Sequence, residues 1–191
     1  MKMTTLTIAA AIAAAHVLVV RRWFLGWGAS EDEVRKPLPG DELVPEPKIQ
    51  STRAVTIDAP AEAVWPWLVQ LGYGRAGFYS YDIFENAFAR LMGVRARFQS
   101  LDRIVPEFQG LHVDDFVPAG PQEWLGGKYA GKIGWRVARL EPQHLMVLEK
   151  WGAFILEPVD GGRTRFIART RGGRTWKDVL ANVAWELPHF I

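Results

Sequence analysis

The side chains best suited to acid–base chemistry fall within one short stretch. Tyr79, Tyr81, Asp82, Glu85 and Asn86 form the densest polar-aromatic cluster in the chain. On a helix, Tyr81 with Glu85 and Asp82 with Asn86 are i, i+4 neighbours on the side away from Phe84 and Phe88. A carboxylate beside a phenol can work as a general acid–base pair where burial raises its pKa. Tyr81, Asp82 and Glu85 are therefore the candidate catalytic residues. The same residues can equally serve a hydrogen-bonded helix start, a routine use of polar side chains at that position.

Other chemistries find less support. The chain has no cysteine, which excludes disulfides, thiolate metal sites and a Cys nucleophile. Its histidines are His16, His112, His144 and His189, and none pairs with another at metal spacing. His112 with Asp114 and Asp115 is the one candidate cluster; it falls in a turn, and no metal is expected. None of Ser30, Ser51, Ser80 and Ser100 sits in G-x-S-x-G, so a hydrolase triad has no basis. Gly72-Tyr73-Gly74-Arg75-Ala76-Gly77 matches G-x-G-x-x-G, but that fingerprint must follow a strand and open a helix. Here a helix precedes it and a loop continues to Ser80. The glycines are expected to turn the chain between two helices, and no cofactor is expected. With 23 basic against 21 acidic groups, a net charge of +2 gives no electrostatic footprint for nucleic acid.

The elements that must position these residues follow from patterning. Composition is ordinary for a globular chain, 49% hydrophobic and 23% charged over 191 residues. A domain of about 140 to 150 residues buries roughly 70% of its unfolded surface without staples. Ser30-Glu31-Asp32-Glu33 predicts a capping box that opens a short helix. Pro37, Pro39, Pro45 and Pro47 then make residues 37–50 a linker or an extended strap lying on the domain. Arg53 to Ile57 alternates as a strand. Ala61, Val64, Leu68 and Leu71 share one helical face, with Pro66 inside the run and Gly72 ending it. A second helix is predicted over Ser80 to Met92 with Phe84, Ala87, Phe88 and Leu91 as its apolar stripe. Strand patterns follow at 132–140, 144–150, 151–158 and 163–171, joined by turns at Glu141-Pro142-Gln143 and Asp160-Gly161-Gly162. In the last of them Arg163, Arg165, Arg169 and Arg171 share a face with Ile167, expected to be a solvated outer face paired with acids such as Glu149 or Glu157. The final helix opens at Thr175, with Trp176, Val179, Leu180, Val183 and Leu187 as its stripe. One strand, two helices, a run of antiparallel strands and a closing helix make an α+β domain.

The first residues read differently. Met3 to Val20 is an uncharged run of 18 residues, rich in Ala and Thr, that spans roughly 27 Å as a helix. Arg21, Arg22, Trp23, Phe24 and Trp27 follow, the mixture of basic and aromatic residues that a membrane interface favours. A single-pass anchor with the domain on the cytoplasmic side is the first expectation. A cleaved signal peptide, or a soluble helix packed on the domain of a cytoplasmic or secreted protein, are the alternatives. The organisation expected is thus an N-terminal apolar helix over 1–28, a short helix and Pro-rich strap over 29–50, and one domain over 51–191.

Several strings resemble the START-like, or SRPBCC, superfamily, in particular a bacterial polyketide cyclase-like branch. They are Trp27-Gly28-Ala29-Ser30, Leu38-Pro39-Gly40-Asp41-Glu42-Leu43, Ile57-Asp58-Ala59-Pro60, Val64-Trp65-Pro66-Trp67-Leu68-Val69-Gln70-Leu71-Gly72 and Gly77-Phe78-Tyr79-Ser80-Tyr81-Asp82, with Phe154 to Pro158 and Thr164-Arg165 further on. The resemblance covers roughly residues 27 to 190. It implies a helix-grip fold, an antiparallel sheet wrapped around a C-terminal helix with an apolar cavity between them. Relatives usually continue that helix past the position of Pro188-His189-Phe190-Ile191, so the last helix is expected to be cut short. The first functional expectation is a membrane-tethered module that binds an apolar small molecule or lipid, with Trp65, Tyr79, Trp135, Phe154, Phe166, Trp176 and Leu180 as ligand-binding residues. The alternatives are an enzyme of cyclase or hydratase type and a structural protein whose cavity is filled by its own side chains. The resemblance carries over no catalytic residue.

Overall fold

The computed structural model describes residues 21–91, 93–123, 126–128 and 130–173. The apolar run Met3–Val20, Trp124 and the final helix expected from Thr175, with Trp176 and Leu180, lie outside the described residues. The elements in chain order are α1 (Arg21–Leu25), α2 (Glu31–Arg35), a 3-10 turn (Asp41–Leu43), β1 (Ile49–Ile57), α3 (Ala61–Val69), α4 (Asp82–Leu91), a 3-10 turn (Pro106–Phe108), β2 (Phe116–Pro118), β3 (Gly134–Glu141), β4 (Leu145–Leu148), β5 (Gly152–Val159) and β6 (Arg163–Gly172). The six strands form one antiparallel sheet in the order β1-β6-β5-β4-β3-β2. The α+β class is therefore as expected, and the strands fall within a few residues of their predicted limits. None of the described helices is long and apolar enough to cross a membrane.

Alternation along the strands divides the apolar residues between two faces. One face carries Val137, Met146, Leu148 and Leu156, on which α3 lays Ala61, Val64 and Leu68. The other carries Leu145, Val147, Ala153, Ile155 and Ile167, with Leu38 of the strap packed against them. The strap is pressed so closely here that a Cβ added at Gly40 would come within 2.9 Å of Val147 Cγ1. The capping box is formed as the sequence predicts: the Ser30 hydroxyl accepts from the Glu33 N–H, and the Glu33 carboxylate accepts from the Ser30 N–H.

The arginine row departs from expectation. Only Arg163 at its start is solvent-exposed. Arg169 is 1% exposed and lies under the strap, where it donates to the carbonyls of Glu33, Val34 and Lys36 at 2.8–3.2 Å. Asp41 Oδ1 lies 3.8 Å from its Nε and 3.6 Å from that of Arg171. Burial pushes the Arg169 guanidinium below its ordinary pKa; Asp41 opposes that shift and neighbouring Arg171 adds to it. Arg171 donates to the Asp41 carbonyl at 2.7 Å. Arg165 forms a fork–fork pair with Glu33, both contacts at 2.7 Å, and donates to the Gly28 carbonyl. The partners of the row therefore come mainly from residues 28–41, the short helix α2 and its flanks, with Asp41 of the strap. Among the acids on neighbouring strands that the sequence suggested, Glu157 lies opposite Arg165 in register and favours its charged form, and it also pairs with Lys36 at 3.4 Å. Strand period identifies which residues share a face; it is silent about the segment that covers that face.

The hydrogen bond from Arg165 is the main influence holding the Glu33 carboxyl at about 2, against an ordinary value of 4.5. A carboxyl depressed in the folded state contributes stability above its unfolded pKa and loses it as pH falls through the folded one. The raw shift corresponds to about 3 kcal/mol, which solvent screening at the strap edge cuts to about 1–2 kcal/mol. Urea unfolding of wild type and Glu33→Gln should therefore differ by that amount at neutral pH. The gap should close between pH 4.5 and 2. A gap that is unchanged across this range would show that the pair contributes nothing through ionisation.

Candidate ligand-binding face

The sheet face that bears α3 also carries a row of aromatic rings. Trp135 (β3), Phe154 (β5) and Phe166 (β6) alternate inward with the core residues of the same strands, and Trp151 projects from the β4–β5 turn. The rings touch in sequence. Phe78 meets Trp135 edge-on with centroids 6.3 Å apart, and Trp135 meets Trp151 at 6.3 Å. Trp151 lies 4.3 Å from Phe154, which stacks on Phe166 at 5.8 Å with planes 15° apart. Phe154 faces Ala168 and Phe166 faces Leu156, so this last contact is the diagonal one that a twisted antiparallel pair allows. All five rings are half-buried rather than sealed.

Of the ligand-binding residues expected from sequence, Trp135, Phe154 and Phe166 are thus brought into one row. Trp65 packs half-buried against the same cluster from α3. Tyr79 belongs to another group: its ring meets Trp67 edge-on at 5.5 Å and its hydroxyl accepts from Gln70 Nε2. It is held at φ 56°, in the left-handed region. Burial lifts its phenol above the ordinary pKa, against the pull of the Gln70 hydrogen bond.

Tyr81, Asp82 and Glu85 come together at the start of α4, each with a partner close to hand. Asp82 accepts from the Ser100 N–H at 2.8 Å and from the Ser100 hydroxyl at 2.8 Å. Glu85 accepts from the Ser80 hydroxyl. Tyr81 is exposed and meets Phe84 edge-on. Asn86 brackets Phe98, accepting from its N–H at 2.9 Å and donating to its carbonyl at 2.7 Å. Asp82 and Asn86 thus fasten the 97–100 segment to the helix.

Sequence reasoning passed over Gln70, which is fully buried at the end of α3. Its Nε2 donates to the Tyr79 hydroxyl and to the Arg103 carbonyl, while its Oε1 accepts from the Val105 N–H and from Gln109 Nε2. One side chain therefore ties the 101–109 loop and the 77–81 loop to the helix. The available signal was a lone amide between Val69 and Leu71 in an apolar run, where burial demands partners. Arg75 acts similarly, donating to the carbonyls of Val69, Leu71 and Phe108 with its guanidinium 5.1 Å from the Phe108 ring. The glycine-rich run closes as a small bridge, with Gly72 and Gly77 exchanging backbone hydrogen bonds at 3.0 and 3.1 Å. A Cβ at Gly77 would meet Gln99 O at 2.7 Å, so a side chain there would push the loops apart. A cleft of about 180 Å³ lies between this bridge and the Arg97–Leu101 segment. His112 is largely exposed, with Asp115 3.7 Å from its ring. Among the described residues no group of three acidic or histidine side chains is arranged to hold a metal ion.

No family model matches the chain, and the search of curated proteins finds no match. Among solved structures, the chain is similar to the crystal structure of the protein SSP2350 from Staphylococcus saprophyticus, at 12% identity and a TM-score of 0.37, over 74% of this chain and 86% of that one. It is also similar to the solution structure of the Aha1 dimer from Colwellia psychrerythraea, at 14% identity and a TM-score of 0.38, over 74% of this chain and 90% of that one. Neither overlap is close enough to fix a common fold or a function.

Replacing Gln70 with Leu would strand the Val105 N–H and the Arg103 carbonyl without partners. Arg103 is exposed and Val105 partly buried, so water replaces part of what is lost and the cost is about 1–2 kcal/mol. The Gln70→Leu variant should unfold at correspondingly lower urea, and limited proteolysis should cut first within 101–109. Unchanged stability and an unchanged cleavage pattern would show that the amide is dispensable.

Proposed function

We propose that this chain is a helix-grip module that binds an apolar small molecule or lipid against the aromatic row, with the segment from Thr175 forming the opposite wall. The observation that carries the reading is the half-buried state of the connected rings of Phe78, Trp135, Trp151, Phe154 and Phe166. Large rings aligned on one sheet face and still partly accessible are what an apolar ligand site presents. The resemblance of the VWPWLVQLG and GFYSYD strings to START-like proteins supports the same choice. A binding role is preferred to a cyclase or hydratase role because Asp82 and Glu85 spend acceptors on Ser100 and Ser80. Holding neighbouring backbone and hydroxyl groups is the use expected of carboxylates at a helix start.

The site is tested by titrating the full-length chain with a brominated fatty acid and following indole fluorescence. Quenching is expected, because Trp135 and Trp151 belong to the row. The Trp135→Leu variant should bind about tenfold more weakly, the loss of roughly 1–2 kcal/mol of ring contact. Native mass spectrometry that repeatedly finds no apolar guest, together with an absence of quenching, would remove the proposal.

In the same reading the run from Met3 to Val20 tethers the module to a membrane, with Arg21 and Arg22 on the cytoplasmic side. Trp23 and Trp27, each about half exposed, fit a position at the headgroup level. The full-length chain should stay in the membrane pellet after an alkaline wash; its release into the supernatant would refute the tether.

A further inference from the structure

Helix α4 turns its polar side chains toward the domain and its apolar ones outward. Asp82, Glu85 and Asn86 are half-buried and hydrogen-bonded to neighbouring segments, and Ala89 is buried. The stripe that the sequence predicts to be the packing face points largely to solvent: Phe84 is 52% exposed, Leu91 82% and Ala87 is exposed as well. Ile83 is 81% exposed, and Tyr81, just before the helix, 56%. A single exposed leucine is ordinary. Four large apolar residues within eleven positions, all facing out, are not.

The exposed charges at and after the end of this stripe in sequence, through residue 97, have one sign. Arg90 at the end of α4, and Arg95 and Arg97 just after it, are exposed. Both acids of the helix, Asp82 and Glu85, are turned inward. We propose that α4 is an interfacial helix that lies in the headgroup–acyl boundary of an anionic bilayer. Ile83, Phe84 and Leu91 enter the apolar zone, while Arg90, Arg95 and Arg97 meet lipid phosphates. A short amphipathic helix that mixes charged residues with bulky apolar ones, and has arginines beside it, is the pattern that binds membranes in this way. A second copy of the chain fits less well. A two-fold interface sets the same patch against itself, which would bring the two arginine clusters together without an outward acid on either helix. The proposal rests on α4 alone and is independent of the Met3–Val20 tether and of the ligand site.

The absence of cysteine makes a local test possible in the full-length chain. Ile83→Cys, Leu91→Cys and, as a control in the β5–β6 turn, Asp160→Cys are each labelled with an environment-sensitive fluorophore. They are mixed with vesicles of phosphatidylcholine and phosphatidylglycerol whose acyl chains carry a quencher. Labels at 83 and 91 should shift to the blue and be quenched, and the label at 160 should do neither. In an Arg90→Gln/Arg97→Gln background the equilibrium for insertion should weaken by about thirtyfold, at roughly 1 kcal/mol per arginine. Labels at 83 and 91 that stay unquenched in vesicle-bound protein would overturn the proposal. So would labels already shielded without vesicles in a species of doubled mass, which would assign the face to a second copy.

Discussion

Burial of the Arg169 guanidinium is the constraint around which the fold is organised: its two terminal nitrogens donate three hydrogen bonds to backbone carbonyls, while its Nε faces Asp41 Oδ1 at 3.8 Å, an ion pair without a hydrogen bond. Those carbonyls belong to Glu33, Val34 and Lys36, at the end of α2. Carbonyls within one turn of chain can converge on one guanidinium only if that turn is held in place. The capping box at Ser30 and Glu33 fixes the start of the turn, and the same Glu33 grips Arg165 farther back along the same strand. The strap, the short helix and β6 therefore specify one another. A buried ion pair is a poor source of net stability but a strict one of geometry, since a shifted strap would strand both charges and donors.

With one sheet face closed by the strap, the other is left for α3 and the aromatic row. The two faces differ in how their chemistry is satisfied. Beneath the strap, guanidinium groups meet backbone carbonyls and carboxylates, and apolar residues fill the space between them. On the α3 face, contact is mostly between rings and aliphatic side chains, which tolerate many arrangements of a partner surface. Gln70 and Arg75 set the boundary of that softer face. They fasten the loops at 72–79 and 101–109 to the end of α3, so that Phe78 arrives beside Trp135.

The parts of this architecture that are local in sequence were legible beforehand. Period-two alternation located β1 and the four later main strands, and the spacing of Ser30 and Glu33 announced the cap. What failed to show was the identity of the cover. Arg165, Arg169 and Arg171 read as a solvated row because charge is the usual mark of an outer face, and nothing in a strand pattern reveals that a segment more than 120 residues earlier supplies carbonyls to it. The second helix misled for a related reason. Its Phe84 and Leu91 stripe is real, but Asp82 and Asn86 on the opposite side hold the 97–100 segment, Glu85 holds Ser80, and these bonds decide which way the helix turns. The apolar run Met3–Val20 and the helix expected from Thr175 fall outside the described residues.

The pairing of β1 with β6 has a kinetic side. Every pair in that ladder, from Ile49 with Gly172 to Ile57 with Thr164, joins residues more than 100 positions apart. The hairpins from β3 to β6 need only short closures and can form early, whereas this outer ladder waits for almost the whole domain to be synthesised and collapsed. Until the segment from Gly28 to Asp41 docks, the arginines of β6 remain hydrated. Late docking of that segment would then be the slow step in reaching the native state, and the unpaired flank of β6 would be the surface through which half-made chains are most prone to associate.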